Sequence, residues 1–216
     1  MVQYNNKILT RTVEKPVPYN VVYTKAQGRK PTIIETGTAK TTCDSFVYST
    51  TGWTYTENFV QPELTSNGVY PYEEFCAFQS SNFQGENEAW KATHKEGTGR
   101  WQSDNSLSLP QYMGYFSNRP IKVESITMNN NASSDGDYGY NPYNFKFQGS
   151  KDGNTWVDLL TVTSNPNYNN QSAEGYTLEV NSTEGYFFHR IYVEQVRNSR
   201  PAMVSYLRLN GKIGNK

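Results

Sequence analysis

The chain has 216 residues with 20 basic and 20 acidic side chains, so its formal net charge is +0. This balance leaves no excess positive charge for binding nucleic acid or an anionic membrane surface. No apolar run approaches the ~20 residues of a membrane-spanning helix, and the first residues, MVQYNNKILTRTVEKP, show no signal peptide. Aromatic residues make up 14%, with 17 tyrosines, which is typical of β-proteins that present recognition surfaces.

The composition changes along the chain and predicts three parts. Residues 1–42 are rich in Thr, Val, Lys and Pro and bury too little apolar surface to fold alone, so we predict an extended N-terminal arm or a loose linker. Residues 43–65 carry more aromatic side chains and are expected to connect this arm to the body and pack on it. Residues 66–216 form the body. Cys43 and Cys76 make no disulfide framework, and two thiols are favoured over one bridge.

The body shows short stretches of alternating apolar and polar residues between clusters of Gly, Asn, Pro and Ser. This pattern predicts an all-β sandwich. In the clearest hairpin, residues 145–159, Phe145 and Phe147 alternate with polar residues, and Asp152-Gly153 predicts a tight turn with a positive φ angle. Trp156 opens the returning strand.

One strand changes its apolar parity part-way. Ile121 shares one parity with the next apolar residue, Val123, whereas Ile126 and Met128 share the other. A continuous strand would send the two pairs to opposite faces. We therefore predict a β-bulge near Glu124-Ser125, which would return all four side chains to one face.

Several segments of the body occur in an order that resembles a known family. They are EFCAFQSS at 74–81, EAWKA at 88–92, RWQS at 100–103, YMGYF at 112–116, PIKVESITM at 120–128, FQGSKDGNTW at 147–156, YFFHRI at 186–191 and LRLNG at 207–211. They resemble the discoidin-like domains, also called coagulation factor 5/8 type C or galactose-binding-like domains, over about residues 66–213. The resemblance implies a jelly-roll β-sandwich that binds a ligand without catalysis. It also places Trp90, Trp101 and Trp156 at core positions.

The sequence offers little for catalysis. It contains two histidines, His94 and His189, and no short motif of a hydrolase, metalloprotease or phosphate-binding loop. His189 alternates with apolar residues such as Ile191, which predicts a core histidine with one hydrogen-bond partner. We therefore expect no enzyme, no catalytic residues and no cofactor.

The resemblance also raises the question of a structural calcium ion, because many discoidin-like domains hold one with an Asp and a Glu. At the matching positions this chain reads Thr93-His94-Lys95 and Ser205-Tyr206, so both expected carboxylates are missing. Since Ca²⁺ prefers oxygen ligands, we expect no metal site. A calcium ion held mainly by backbone carbonyls is the alternative.

In the family, ligands meet the loops at one end of the sandwich. A sugar site needs an aromatic face and a few planar hydrogen-bonding groups. Three loops, 93–100, 129–143 and 195–203, supply such groups. The predicted ligand-binding residues are His94, Arg100, Tyr138, Tyr140, Asn198 and Arg200. The alternatives are solvated loop residues or contacts to a neighbouring subunit.

The segments EAWKA and YMGYF are similar to those of virion and tail-associated proteins of bacteriophages. The sequence therefore predicts a non-catalytic carbohydrate-binding module on a bacteriophage structural or tail-associated protein, located in the virion, with a glycan as partner and other virion proteins bound through the arm. Homo-oligomerisation is left open. The rival hypotheses are a purely structural decoration or connector subunit and the sugar-binding module of a bacterial surface protein.

Deleting residues 1–42 tests the division into arm and body. The truncated chain should stay soluble with nearly the same melting temperature, because the arm lacks apolar surface and its prolines favour extended backbone. Thermal unfolding of the truncated and full-length chains measures the difference. Aggregation or a much lower melting temperature would show that the arm belongs to the core.

Overall fold

The computed structural model divides the chain into two compact units, Met1–Asp44 and Ser45–Lys216. In the first it describes four short strands that form two antiparallel pairs: β1 (Val2–Tyr4) with β2 (Lys7–Leu9), and β3 (Asn20–Val22) with β4 (Thr32–Ile34). The predicted boundaries of arm, connecting segment and body stay predictions. The second unit is described over residues 52–68, 74–84, 87–95, 99–129, 139–169, 174–180, 182–198 and 201–215.

The described part of the second unit is built from strands and a short 3-10 helix (Ala89–Thr93). Among the described residues, no helix is long and apolar enough to cross a membrane. The strands are β5 (Thr54–Asn58), β6 (Phe75–Gln79), β7 (Trp101–Gln102), β8 (Gln111–Asn129), β9 (Pro142–Ser150), β10 (Trp156–Val162), β11 (Tyr176–Glu179), β12 (Tyr186–Val196), β13 (Met203–Val204) and β14 (Tyr206–Asn215). The predicted all-β architecture is confirmed.

Strand β8 belongs to both layers of the sandwich. Its first part pairs with β6 and β12, and its last part pairs with β11 and β14. A strand has two hydrogen-bonding edges, so four partners require two separate halves. The halves give one layer ordered β10-β9-β12-β8-β6 and another ordered β11-β8-β14-β5.

The bend between the two halves of β8 lies between Phe116 and Ile121, where the register with β12 shifts. Pro120 suits this position because it has no N–H to donate to a ladder. Arg119 holds the bend in place: its Nε donates to the carbonyl oxygen of Gly214 at 2.7 Å, and its Nη2 lies 3.0 Å from Glu57 Oε2.

The predicted bulge in β8 is confirmed. Asn210 of β14 is opposite Ser125 and the next residue, Gly211, is opposite Val123, so Glu124 is the extra residue. Glu124 is exposed, and the four apolar residues around it are fully buried on one face. Gly211 fits beside the bulge because a Cβ atom there would lie 2.1 Å from the Lys122 carbonyl oxygen.

The predicted hairpin is formed by β9 and β10, whose register pairs Trp156 with Ser150. Five residues therefore connect the strands, which makes the turn wider than a two-residue Asp-Gly turn. Gly153 has the predicted positive φ angle of 78°. Asp152 Oδ1 closes the turn by accepting hydrogen bonds from the backbone N–H groups of Asn154 at 2.8 Å and Thr155 at 2.7 Å.

The core lies between the two layers and contains large apolar side chains that are fully buried. At its centre the ring of Tyr115 is fully buried, and its hydroxyl donates to the Leu207 carbonyl oxygen at 3.2 Å. The other large members include Met113, Ile121, Ile126, Met128, Phe145, Phe147, Ile191, Leu207 and Leu209.

Of the three tryptophans expected in the core, Trp101 is fully buried, and its Nε1 donates to the Ser81 carbonyl oxygen at 2.9 Å. Trp90 is half-buried and packs against the core, whereas Trp156 is half-buried on another face. The Trp90 Nε1 donates to Glu88 at 2.7 Å, and the Trp156 ring packs under the guanidinium of Arg190.

His189 lies in the core, as its alternation with apolar residues predicts. Its ring stacks on Phe147 with the centroids 5.7 Å apart and meets the edge of Tyr186. The prediction of one hydrogen-bond partner is wrong, because neither ring nitrogen of His189 forms a hydrogen bond within the described residues. Burial lowers the pKa of His189 to about 3, and the backbone of Ile121 has a smaller opposite effect without reaching hydrogen-bond geometry.

This burial predicts a loss of stability in mild acid. The unfolded chain protonates His189 near the ordinary pKa of 6.5, whereas the folded protein keeps it neutral down to about pH 3. Its contribution is complete above pH 6.5 and falls as the pH drops, by about 2 kcal/mol at pH 5. Urea unfolding of wild type and His189→Leu at pH 7, 6 and 5 measures it. The variant should show a flatter dependence, and equal slopes would contradict the assignment.

Candidate functional site

The loops that join the two layers meet at one end of the sandwich. Strand β8 ends beside the start of β14, and β12 ends beside the start of β9. The segment after β12 returns to β14 through Met203, whose N–H donates to the Tyr140 carbonyl oxygen at 2.9 Å. We call this region, described at residues 99–105, 139–143, 163–169, 197–198 and 201–205, the loop end.

The base of the loop end is held by a short ladder between β7 and β13. Next to the ladder, the Ser103 N–H donates to the Ala202 carbonyl oxygen at 2.9 Å, and the Ala202 N–H donates to Ser103 Oγ at 2.9 Å. Ala202 and Trp101 are fully buried beneath these bonds. The loops above the base therefore start from fixed backbone.

At the loop end two tyrosines and an arginine form an open cluster, which we call the tyrosine–arginine cluster: Tyr143, Tyr168 and Arg197. The two rings are half-buried, stand at 88° to each other and have centroids 5.9 Å apart. The exposed guanidinium of Arg197 lies 4.6 Å from the Tyr168 centroid and 5.9 Å from the Tyr143 centroid. Its Nη1 also donates to the Tyr168 hydroxyl.

Two buried asparagines fix the loop that carries Tyr168. The Asn165 N–H donates to the Tyr143 carbonyl oxygen at 2.9 Å, and its Nδ2 donates to the Pro142 carbonyl oxygen at 3.0 Å. Asn141 Nδ2 donates to the Tyr168 carbonyl oxygen at 2.7 Å. These bonds hold the turn in one conformation, because buried amide groups are costly unless they are paired. The Oδ1 atom of Asn141 is buried without a partner within the described residues.

Two predicted ligand-binding residues, Tyr140 and Asn198, lie at the loop end beside this cluster. Tyr140 is half-buried, and Asn198 is exposed and directly follows Arg197. Asn198 packs on Gly139 so closely that a Cβ atom on that glycine would lie 2.7 Å from the Asn198 Cβ. Their role in binding stays a prediction.

The other predicted ligand-binding residues have different positions. The His94 ring contacts the segment before β6: Nε2 lies 2.6 Å from the Leu64 carbonyl oxygen and Nδ1 lies 3.4 Å from Glu63. Both nitrogens therefore have protein partners, which favours a structural role. Arg100 is half-buried directly before β7. Tyr138 and Arg200 lie outside the described residues.

The residues missed by sequence reasoning are those of the tyrosine–arginine cluster. Tyr143 and Arg197 lie within predicted binding loops but outside the set of predicted ligand-binding residues, and Tyr168 lies in a loop for which the sequence predicts no binding role. The sequence Asn-Pro-Asn-Tyr at 165–168 is a turn signal that would expose a tyrosine after β10. It gives no indication that this tyrosine meets Arg197.

The position expected for a structural calcium ion does not suit one. Thr93 Oγ1 accepts from the Leu64 N–H at 2.9 Å and donates to the Trp90 carbonyl oxygen at 2.7 Å, while His94 is occupied as described above. Across the described ranges no group of three or more His, Cys, Asp or Glu side chains could hold a metal. The local side chains bind the protein itself.

A second arginine and its aromatic neighbours lie on the outer face of β12, away from the loop end. Arg190 packs over Trp156 at 3.8 Å from the ring centroid and over Tyr112 and Tyr192 at 4.8 Å each. Its Nε donates to Gln148 at 2.7 Å. Burial lowers the pKa of the Arg190 guanidinium, and the negative charge of Asp158 opposes that change. Protein groups therefore surround this arginine.

Solved structures share this architecture. A family 32 carbohydrate-binding module of Clostridium perfringens in complex with GalNAc-β-1,3-galactose is 17% identical, with 63% of this chain and 94% of that chain covered and a TM-score of 0.51. An F5/8 type C domain of Bacteroides fragilis is 14% identical, with 64% of this chain and 91% of that chain covered and a TM-score of 0.51. The chain has the discoidin-like, galactose-binding-like fold. The fold prediction is thus confirmed.

A further similar structure is the family 32 module of NanJ from Clostridium perfringens in complex with galactose. It is 17% identical, with 66% of this chain and 94% of that chain covered, at a TM-score of 0.50. No protein-family model matches the sequence. No curated protein matches it either. The similarity to these solved structures is therefore a similarity of fold, the discoidin-like fold.

We expect this discoidin-like chain to fold without metal. Its melting temperature should be the same in excess EDTA and in millimolar Ca²⁺, because Thr93 and His94 already bind protein groups. An occupied site at ~100 times its dissociation constant would add about 2.7 kcal/mol. Thermal unfolding in both buffers measures this, and a rise of many degrees with Ca²⁺ would reveal a site formed by other ligands.

Proposed function

We propose that the chain is a non-catalytic carbohydrate-binding module whose binding site is the loop end. The tyrosine–arginine cluster is the observation that carries the proposal: two half-buried aromatic rings and an exposed guanidinium lie together on fixed backbone. Support also comes from the fold, since two structures that share it are in complex with galactose or with GalNAc-β-1,3-galactose. Predicted residues Tyr140 and Asn198 extend the same surface.

The cluster suits a sugar for a physical reason. A pyranose ring has an apolar side that packs on an aromatic face, and its hydroxyl groups need planar donors and acceptors. Tyr143 and Tyr168 stand at right angles and offer a corner for the ring, while Arg197 and Asn198 offer hydrogen bonds. An open site of this kind buries little surface, so attachment through several copies would strengthen it.

For the setting of the module we propose a bacteriophage structural or tail-associated protein, located in the virion and held there through residues 1–42. The segments EAWKA and YMGYF support this setting. The second candidate is the carbohydrate-binding module of a bacterial surface protein, which is favoured by the bacterial origin of the similar structures. Electron microscopy of phage particles with antibody against the chain distinguishes the two settings.

A glycan screen of an oligomeric preparation tests the binding function. Tyr143→Ala and Tyr168→Ala should each weaken binding at least tenfold for all related sugars, because an aromatic platform contributes buried area regardless of sugar epimer. Arg200→Ala should weaken binding of some sugar epimers more than others, because it leaves one sugar hydroxyl unpaired. Tyr138→Ala and Tyr140→Ala test the remaining predicted platforms.

Tyr55→Ala is the matched control, because Tyr55 is also a half-buried tyrosine. It packs on Gly185, the residue before β12, far from the loop end. The substitution should leave the affinity unchanged. Failure to bind any glycan, or equal binding by all the loop-end variants, would contradict the proposal. The structural hypothesis, in which the chain is a virion decoration or connector subunit that binds protein, would then be favoured.

A further inference from the structure

The two arginines that pack on aromatic rings differ in what else they contact. Arg190 is partly buried, its Nε is bound to Gln148, and Gln148 in turn donates to Asp158 at 2.6 Å. Arg197 is exposed and makes one hydrogen bond through Nη1 to the Tyr168 hydroxyl. Both arginines pack on aromatic rings, but protein groups also bind Arg190 from the side, whereas Arg197 stays exposed.

No carboxylate neutralises Arg197 in the described part of the chain. The nearest acidic residue along β12, Glu194, pairs instead with Lys146, which also binds Asp158 at 3.0 Å. A guanidinium has five N–H donors in one plane, and Arg197 uses one of them on Tyr168. The side chain is exposed, and the other N–H groups of the guanidinium form no hydrogen bond within the described residues.

We propose that the loop end prefers sugars that carry a carboxylate, such as uronic or sialic acids, and that Arg197 determines this preference. This inference rests on the proposed carbohydrate-binding function. The planar fork of an arginine matches a carboxylate with two parallel hydrogen bonds, which a neutral hydroxyl cannot form. The rings of Tyr143 and Tyr168 hold the guanidinium in place from one side, so less side-chain freedom is lost on binding.

Matched pairs of sugars that differ in the carboxylate test the preference with the full-length protein. Lactose against 3′-sialyllactose and digalactose against digalacturonate are suitable, and the two pairs distinguish sialic from uronic acids. By titration calorimetry, the acidic member of at least one pair should bind about tenfold or more tightly. Its affinity should fall as NaCl rises, because salt screens an exposed charge, whereas that of the neutral member should not.

Three variants assign the preference to Arg197. Arg197→Gln should reduce the ratio of acidic to neutral affinity to about one, and Arg197→Lys should leave an intermediate ratio because it keeps the charge without the planar fork. Arg208→Gln, which removes an exposed arginine from β14, should keep the wild-type ratio. Circular dichroism and melting temperature confirm that each variant is folded.

The outcomes separate this inference from the proposed function. Equal binding of acidic and neutral sugars at a site that Tyr168→Ala weakens would overturn the preference and leave the carbohydrate-binding proposal standing. A preference that persists in Arg197→Gln would overturn the role of Arg197. Binding of no member of either pair, together with a negative glycan screen, would overturn both proposals.

Discussion

The structure depends on one constraint, the double pairing of β8. The first half of this 19-residue strand pairs with a neighbour on each side in one layer. The last half pairs with a neighbour on each side in the other layer. The strand can do so only by bending between Phe116 and Ile121, where Pro120 lacks an N–H and Arg119 ties the bend to β14. Because the strand turns back there, its start and its end lie toward one end of the sandwich. The loops at the loop end are close together for this reason.

The loop end combines fixed backbone with open side chains. Buried side chains form hydrogen bonds with neighbouring segments: Asn141 Nδ2 and Asn165 Nδ2 donate to backbone carbonyl oxygens, and Ser103 Oγ accepts from the Ala202 N–H. Each turn is therefore supported by another one. The side chains above them, Tyr168 and Arg197, contact each other and solvent. A binding site that is arranged before the ligand arrives loses less entropy on binding, which matters for a shallow surface.

Arginine packed on aromatic rings occurs twice in the described residues, with different consequences. The Cβ atom of Arg190 lies close to Gly114, where a Cβ atom on the glycine would be 2.8 Å away. The guanidinium group of Arg190 contacts side chains of β8, β9, β10 and β12. This arrangement stabilises the outer face of the layer. Arg197 directly follows β12, at the end of the layer, and its side chain is exposed. Position in the fold, and not residue type, separates the structural role of Arg190 from the binding role that we propose for Arg197.

Features that depend on neighbours in sequence were predictable. The alternation around His189, the parity change that places a bulge at Glu124 and the positive φ angle of Gly153 all follow from backbone geometry within a few residues. The order of the discoidin-like segments predicted the fold itself. Contacts between distant segments were not predictable. Tyr168 meets Arg197 across 29 residues because Asn165 and Asn141 fold its loop against β9. His189 has no hydrogen-bond partner within the described residues because its ring packs on Phe147 and Tyr186. Periodicity determines which face a side chain occupies, whereas tertiary packing decides which side chain lies opposite.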